Sequence, residues 1–195
     1  DKNTPEHTIL SNASCTTNCA APMMLVLEKE FGIEKAMLTT VHSYTASQVL
    51  QDGPSKDLRE ARAAAQNMVP TKTGAAVAVT RTIPQLQNKF DGLSVRVPTI
   101  TVSLTDLTVL LKKDVTVEQI NKAYTKASKT YLKNILAVSN ELLVSSDYIG
   151  NSYSATIDLE LTRVVAGNLV KVVGWYDNEW GYANRLVEMA EVVGK

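Results

Sequence analysis

Cys15 is the residue of this sequence best placed to act as a nucleophile. It follows a strand-like segment, His7–Leu10, and opens a helix predicted over Cys15–Glu30, which Ser14 is suited to cap. The free N–H groups and the dipole at a helix N-terminus favour an anion, so we expect the thiol pKa below its usual value of about 8.5. Burial as a small core residue is the alternative for any cysteine, and it suits Cys19, one turn further along.

The two cysteines favour neither a disulfide nor a metal site. At helical i,i+4 spacing their Cβ atoms lie about 5–6 Å apart, whereas a disulfide requires about 3.5–4.5 Å. A tetrahedral metal site needs about four ligands, and the two histidines, His7 and His42, match no zinc spacing. We therefore expect no metal and a reducing, cytoplasmic setting.

Other side chains suit a catalytic base and an anion site. His42 ends a strand predicted over Ala36–His42, where it is either a structural residue or a general base for a cysteine nucleophile. Thr73 and Gly74 open a second predicted helix, whose free N–H groups suit phosphate, although simple capping by Thr73 explains them equally well. Arg96 lies within an apolar strand; facing a cleft, it would need an anionic partner such as phosphate or carboxylate.

The elements that must position these groups alternate between strand and helix, which predicts a sheet covered by helices. Thr101–Lys112 is the clearest strand, with its period-two phase slipping at Asp106, and Thr116–Gln119 is a capping box. The turn-forming Asp52–Ser55 predicts a long loop over 44–70. Further helices are predicted over 57–67, 74–86 and 179–193, with an earlier end near Pro84 as the alternative for the second, and further strands over 93–97, 142–145, 154–165 and 169–176. The helix after the capping box is predicted to bury one face, Ile120, Ala123, Tyr124, Ala127 and Tyr131.

Composition describes an ordinary globular chain. Of 195 residues, 20 are Lys or Arg and 20 are Asp or Glu, so the net charge of zero argues against nucleic acid or an anionic membrane as partner. The longest apolar stretch, Ala20–Leu27, is too short for a bilayer, which needs about 20 residues. No linker or repeat divides the chain, so one compact unit with a tail is expected.

Nine consecutive residues, Ser11–Cys19 (SNASCTTNC), resemble the active-site signature of the glyceraldehyde-3-phosphate dehydrogenase family. Further segments resemble the family in the same order: Thr39–Thr45 with its histidine, Asp52–Pro54, Arg62–Ala65, Thr73–Ala76, Val95–Thr99 and Trp175–Tyr182. The resemblance covers essentially the whole chain, but only the C-terminal part of the family.

The resemblance implies the family's catalytic domain, an α/β (α+β type) fold with a mixed, largely antiparallel sheet covered by helices. It implies oxidation of glyceraldehyde 3-phosphate to 1,3-bisphosphoglycerate in glycolysis. Cys15 would form a thiohemiacetal and then a thioester, His42 would activate the thiol, and hydride would pass to NAD. Inorganic phosphate would release the product.

The resemblance also assigns the binding residues. Thr45 and Arg96 would hold the phosphate of the substrate. The attacking phosphate would be held by Ser14, Thr73 and Gly74, with Arg62 nearby and Thr16 shaping the pocket. Asn178 would contact the nicotinamide carboxamide, and Tyr176 is assigned with it to the cofactor side.

One departure from the family is large. Only fourteen residues precede Cys15, and no G-x-G-x-x-G fingerprint occurs, so we expect most of the NAD-binding domain to be absent. Residues 1–178 would be the catalytic domain and 179–195 a helix that docks on the absent domain. The chain alone is then expected to be inactive, the choice between NAD and NADP stays open, and the full-length enzyme is expected to be a homotetramer. The alternatives are an erythrose-4-phosphate dehydrogenase and a truncated, non-catalytic interaction module.

Overall fold

Seven strands build a single mixed sheet in the computed structural model, which describes residues 8–194. The strands are β1 (Ile33–Ser43), β2 (Val69–Lys72), β3 (Phe90–Val97), β4 (Ser103–Leu111), β5 (Leu136–Ser139), β6 (Ala155–Val165) and β7 (Leu169–Tyr176). Their order is β2-β3-β1-β4-β7-β6-β5. The pairs β1–β3 and β5–β6 are parallel and the other four are antiparallel, which confirms the expected largely antiparallel sheet.

Four helices accompany the sheet: α1 (Cys15–Phe31), α2 (Ala75–Thr82), α3 (Val117–Lys129) and α4 (Trp180–Val193). Helices α1, α2 and α3 pack on the sheet and enclose one aliphatic core with it. Short 3₁₀ turns lie at Ala64–Gln66, Pro84–Leu86 and Ser145–Tyr148. No helix in this part of the chain has the length and apolar character needed to cross a bilayer.

Helix α1 forms as predicted, with Ser14 as its N-cap. The Thr17 amide donates to Ser14 Oγ at 3.1 Å, and the helix ends at Gly32, whose φ of 70° suits a residue without a Cβ. The helix continues through Pro22. It approaches β7 closely because position 174 is a glycine: a Cβ there would lie 2.7 Å from Met23 Sδ. This close approach sets the depth of α1, and with it the height of Cys15 above the sheet.

The burial pattern of β4 corrects one prediction. The side chains alternate without interruption, so no phase slip occurs at Asp106. The apolar pattern suggested one because the two inward positions at the start of the strand, Ser103 and Thr105, are polar. These polar residues lie at the end of the sheet where His42 is found.

The predicted helix over 57–67 is wrong. Only the turn at Ala64–Gln66 is helical. Asp57 caps a single turn, and the Ala63 amide, which a helix would direct to the carbonyl of Arg59, bonds to Asp52 instead. Asp57 Oδ1 accepts from the amides of Arg59 and Glu60, and Asp52 Oδ1 accepts from the amide of Ala63. The segment therefore folds back on Asp52.

Several boundaries also differ from the sequence-based expectation. No strand forms at 142–145, where Leu142 is 91% exposed; the strand of that region is β5. Strand β2 was not predicted, since Pro70 lacks a donor, but β2 is an edge strand where proline is tolerated. Helix α2 ends at Thr82, which agrees with the earlier of the two expected ends, because Pro84 cannot continue the helix. Tyr131 lies beyond α3 and is not buried. Of the strand predicted over His7–Leu10, residues 8–10 form no strand, and His7 lies outside the described residues.

Helix α4 is attached to this domain by its first two turns. Arg185 is 8% exposed and donates to the carbonyl of Asn134 at 2.9 Å, and Gly181 lies against the backbone of Tyr153. The apolar residues Leu186, Val187 and Val192 are exposed. That these exposed residues dock on another domain remains a prediction.

Candidate active site

The site lies at one end of the sheet, where four strands bring their polar ends together. Strands β1 and β3 run parallel, so both end here, and their register places His42 directly beside Arg96. Strand β4 begins and β7 ends at the same edge, with Ser103 paired to Tyr176. The N-terminus of α1 reaches this edge and supplies Cys15.

Cys15 and His42 are in contact, which the sequence alone did not establish. Cys15 Sγ lies 3.5 Å from His42 Nε2. The opposite ring nitrogen, Nδ1, lies 2.7 Å from the carbonyl oxygen of Ser43, so this contact requires a hydrogen on Nδ1. In that tautomer the lone pair of Nε2 faces the thiol and can accept its proton.

Arg96 supports the opposite tautomer of the same ring. Its Nη1 lies 2.5 Å from His42 Nδ1, and because a guanidinium only donates, this contact requires an unprotonated Nδ1. The two tautomers exclude each other. If an anion drew Arg96 away, the hydrogen bond from His42 Nδ1 to the Ser43 carbonyl would remain. The Nε of Arg96 is buried without a hydrogen-bond partner within residues 8–194, and no carboxylate of that range pairs with it.

The protonation state differs from the sequence-based expectation. Burial raises the pKa of the Cys15 thiol above its ordinary value, although hydrogen bonds to Thr16 and the charge of Arg96 act in the opposite direction. Burial also lowers the pKa of His42 to about 4. The resting pair is therefore a thiol beside a neutral imidazole. The expected lowering of the Cys15 pKa is wrong, because burial outweighs the effect of the helix N-terminus.

A cavity of about 490 Å³ opens in front of the pair. Eight of the predicted site residues line it: Ser14, Cys15, Thr16, His42, Thr45, Thr73, Gly74 and Arg96. Lys72 lines it as well. The cavity thus joins a thiol, a base, two cations and two helix N-termini, a combination suited to a small anionic electrophile.

Three predicted residues lie outside the lining of this cavity. Arg62 forms an exposed ion pair with Asp52, with Nε 2.9 Å from Oδ2. Tyr176 is buried beneath Cys15, where its hydroxyl is 3.0 Å from Thr16 Oγ1 and 3.0 Å from Thr40 Oγ1. It supports the nucleophile from below and meets the His42 ring edge to face at 6.0 Å.

Asn178 is the third, at the end of β7 beside the cavity. The side-chain oxygen accepts hydrogen bonds from Ser43 and Ser103, while Nδ2 has no acceptor within residues 8–194. A free amide N–H of this kind matches the carbonyl oxygen of a carboxamide, so the residue fits the nicotinamide end of a dinucleotide. Sequence motifs had indicated Asn178 but neither serine, because isolated strand serines carry no signal of their own. Among residues 8–194, no group of three or more His, Cys, Asp or Glu side chains is arranged to hold a metal ion.

Comparison with known proteins identifies the origin of this constellation. A family profile described as "Glyceraldehyde 3-phosphate dehydrogenase, C-terminal domain" matches residues 14–178. The chain belongs to the glyceraldehyde-3-phosphate dehydrogenase family. The matched range begins at the N-cap of the Cys15 helix and ends at Asn178, so it holds every site residue named above.

The curated relatives carry the same name. The chain is 56% identical to glyceraldehyde-3-phosphate dehydrogenase 1 of Bacillus cereus over 184 residues, which cover 94% of this chain and 55% of that protein. It is 53% identical to the enzyme of Geobacillus stearothermophilus, over 99% of this chain and 58% of that protein. Identity to glyceraldehyde-3-phosphate dehydrogenase 2 of Streptomyces avermitilis is 51%, over 100% of this chain and 58% of that protein. The chain therefore spans a little over half the length of these relatives.

Proposed function

We propose that this chain is the catalytic part of a phosphorylating, NAD-dependent glyceraldehyde-3-phosphate dehydrogenase of glycolysis. The observation that carries the proposal is the Cys15–His42 contact of 3.5 Å at a cavity that Arg96 also lines, where no carboxylate of residues 8–194 pairs with its guanidinium. A nucleophile with its base serves acyl chemistry, and a guanidinium without a carboxylate partner serves a substrate that carries its own anion. The names of the relatives support glyceraldehyde 3-phosphate as that substrate.

In the proposed reaction the thiol and imidazole act together. Cys15 Sγ bonds to the aldehyde carbon while its proton passes to His42 Nε2, whose lowered pKa leaves it free to accept. The amides of Cys15 and Thr16, at the start of α1, would stabilise the negative charge on the former aldehyde oxygen, because Ser14 already accepts from the amides of Thr17 and Asn18. A substrate phosphate held by Arg96 and Thr45 would draw the guanidinium from His42 Nδ1 and favour the basic tautomer.

The second half of the reaction completes the oxidation. NAD, when bound, supplies the hydride acceptor, and Asn178 would hold its carboxamide while Tyr176 supports the site from behind. The substrate carbon then remains on Cys15 as a thioester. Inorganic phosphate, held by Ser14, Thr73 and Gly74, attacks that carbon. The C–S bond breaks, the proton held by His42 returns to Sγ, and the acyl phosphate leaves. Arg62 would join this phosphate only on leaving Asp52.

The remaining assignments follow from the same proposal. Residues 1–178 form the catalytic domain, and the exposed residues of α4 in 179–195 dock on a dinucleotide-binding part. With that part present, the enzyme acts as a homotetramer in the cytoplasm. Its use of NAD or NADP is decided by the dinucleotide-binding part.

Substrates with and without a phosphate test the proposal, in the protein with its dinucleotide-binding part present. Arg96→Gln should lower kcat/KM for glyceraldehyde 3-phosphate by roughly 10- to 100-fold, because a charged hydrogen bond is lost. It should not lower kcat/KM for unphosphorylated glyceraldehyde, which has no phosphate for Arg96 to hold. The exposed Arg81→Gln is the matched control and should change neither value. Equal losses on both aldehydes, or a preference for erythrose 4-phosphate, would contradict the assignment.

A further inference from the structure

The Asn178 side chain is held in one orientation by two buried serines. Ser43 Oγ donates to Asn178 Oδ1 at 3.0 Å, and Ser103 Oγ donates to the same oxygen at 2.9 Å. Ser43 is fully buried and Ser103 is 2% exposed. The amide oxygen is thereby satisfied twice, while Nδ2 has no acceptor within residues 8–194. The side chain consequently presents a hydrogen-bond donor and no acceptor.

The direction of these bonds is set by the backbone. The amide of Ser43 donates to Ser103 Oγ at 3.2 Å, so this hydroxyl already accepts one hydrogen and needs an acceptor for its own. Asn178 Oδ1 is that acceptor. Turning the amide over would place N–H groups against both hydroxyls and leave buried hydroxyl hydrogens unsatisfied, which is unfavourable.

A strained residue, Val102, precedes Ser103 and orients it toward Asn178. Val102 is 2% exposed and has a φ of 69°, a left-handed conformation that a β-branched residue rarely adopts. It separates two consecutive clamps: Thr101 Oγ1 donates to Asp177 Oδ1 at 3.1 Å, and Ser103 holds Asn178. Strain of this kind persists where the surroundings impose it, as at ligand clamps.

We propose that Ser43 and Ser103 are positioning residues that fix the Asn178 amide so that Nδ2 is presented to the carbonyl oxygen of the nicotinamide carboxamide. This inference rests on the proposed function, since it deepens the assignment of the cofactor site. Neither serine touches the dinucleotide. Their effect is to remove the alternative amide orientation, in which an acceptor would face an acceptor and repel the carboxamide.

Binding of two ligands distinguishes positioning from general damage. Dissociation constants for NAD and for ADP-ribose, which lacks the nicotinamide, are measured by calorimetry on the protein with its dinucleotide-binding part present. Ser103→Ala and Ser43→Ala should each weaken NAD binding by about 3- to 10-fold, the range of one lost hydrogen bond. Binding of ADP-ribose should not change. Weakening of both ligands, or of neither, would overturn the proposal.

A double-mutant cycle tests whether the serines act through Asn178. In an Asn178→Ala background, Ser103→Ala should have no further effect on NAD binding, because the group it positions is gone. Ser154→Ala is the matched control, since Ser154 is 4% exposed and its hydroxyl has no partner within residues 8–194; it should leave both ligands unaffected. If Asn178→Ala weakens NAD and Ser103→Ala does not, the positioning role is wrong and the cofactor contact stands. If Asn178→Ala itself has no effect, the cofactor contact fails.

Discussion

Cys15 and Cys19 lie one turn apart on the same helix and meet opposite surroundings. Cys15 faces a cavity, contacts His42 and is flanked by the first-turn N–H groups of α1. Cys19 is fully buried, its thiol 3.7 Å from Met23 Sδ, and burial raises its pKa to about 12. The same side chain therefore lies beside a base in one place, where we propose it as the nucleophile, and fills space in the core in the other.

The comparison shows that helix position alone does not make a cysteine reactive. Both thiols have raised pKa values for the same first reason, burial. What separates them is the base: Cys15 has an imidazole within reach that can take its proton, whereas Cys19 has the Met23 sulfur and the Thr105 hydroxyl, neither of which is a base. The proton acceptor matters more here than the resting charge of the sulfur.

The largest expected difference is in turnover. With the dinucleotide-binding part present, Cys15→Ser should reduce kcat by roughly 10³-fold or more, since the nucleophile is removed. Cys19→Ser should keep kcat within a few-fold, although burying an unpaired hydroxyl lowers stability. Steady-state assays with circular dichroism of both variants provide the measurement. Comparable loss of activity in two folded variants would remove the distinction between the thiols.

The next largest difference is expected in the rates at which the two thiols of the native chain are alkylated. Iodoacetamide should modify Cys15 on the order of 100-fold faster than Cys19, which reacts only after local opening. Because burial raises the pKa of Cys15, its rate should continue to rise with pH beyond the range of a free cysteine. Mass spectrometry of timed digests gives both rates. A plateau at neutral pH would instead indicate a preformed thiolate.

His42, the partner of Cys15, should make the stability of the fold sensitive to acid. Burial lowers the pKa of His42 from 6.5 to about 4, so the folded state resists protonation. The His42 contribution to the free energy of unfolding is fully present above pH 6.5. It is lost as the pH falls from 6.5 through about 4, and the loss is at most about 3 kcal/mol. Urea titrations near neutral pH and near pH 4 should show a smaller loss in His42→Gln than in the unmodified chain. Equal losses would assign the acid sensitivity to other groups.

The smallest expected effect concerns the packing beneath Cys19. Gly174→Ala places a methyl group 2.7 Å from Met23 Sδ and should lower the free energy of unfolding by about 1–3 kcal/mol. Gly53→Ala is the control, because the nearest atom would lie at an ordinary 3.6 Å. Thermal melts compare the two. If Gly174→Ala also slows alkylation of Cys15, the depth of α1 controls both thiols.

The sequence predicts the parts of the fold that follow local rules. The Ser14 cap and the Thr116–Gln119 capping box form as expected, and the helix and strand pattern gives the mixed sheet. Predictions of single elements are wrong where contacts distant in sequence determine the local structure. At 57–67, for example, Asp52 accepts from the Ala63 amide, eleven residues further along the chain. Strand β5 escapes notice because Leu136–Ser139 is short and its partner β6 is distant in sequence.

The site follows the same division. Motifs identify Cys15, His42 and Arg96, but their contact depends on the β1–β3 register, which no local pattern encodes. The rise in the Cys15 pKa is a property of enclosure and has no sequence signature. Ser103 and Thr105 interrupt the apolar alternation of β4, and this interruption is what the polar end of the strand leaves in the sequence.

The carboxylate of Asp177 joins three separate stretches of chain. It accepts hydrogen bonds from Thr101, from the amide of Gly150 and from the amides of Glu179 and Trp180. The connections before β4 and before β6 and the start of α4 thus share one anchor next to Asn178. Loop exchange between homologues should therefore succeed only when these stretches are transplanted as a set. Replacing one alone would shift the Asp177 carboxylate to which the others are hydrogen-bonded.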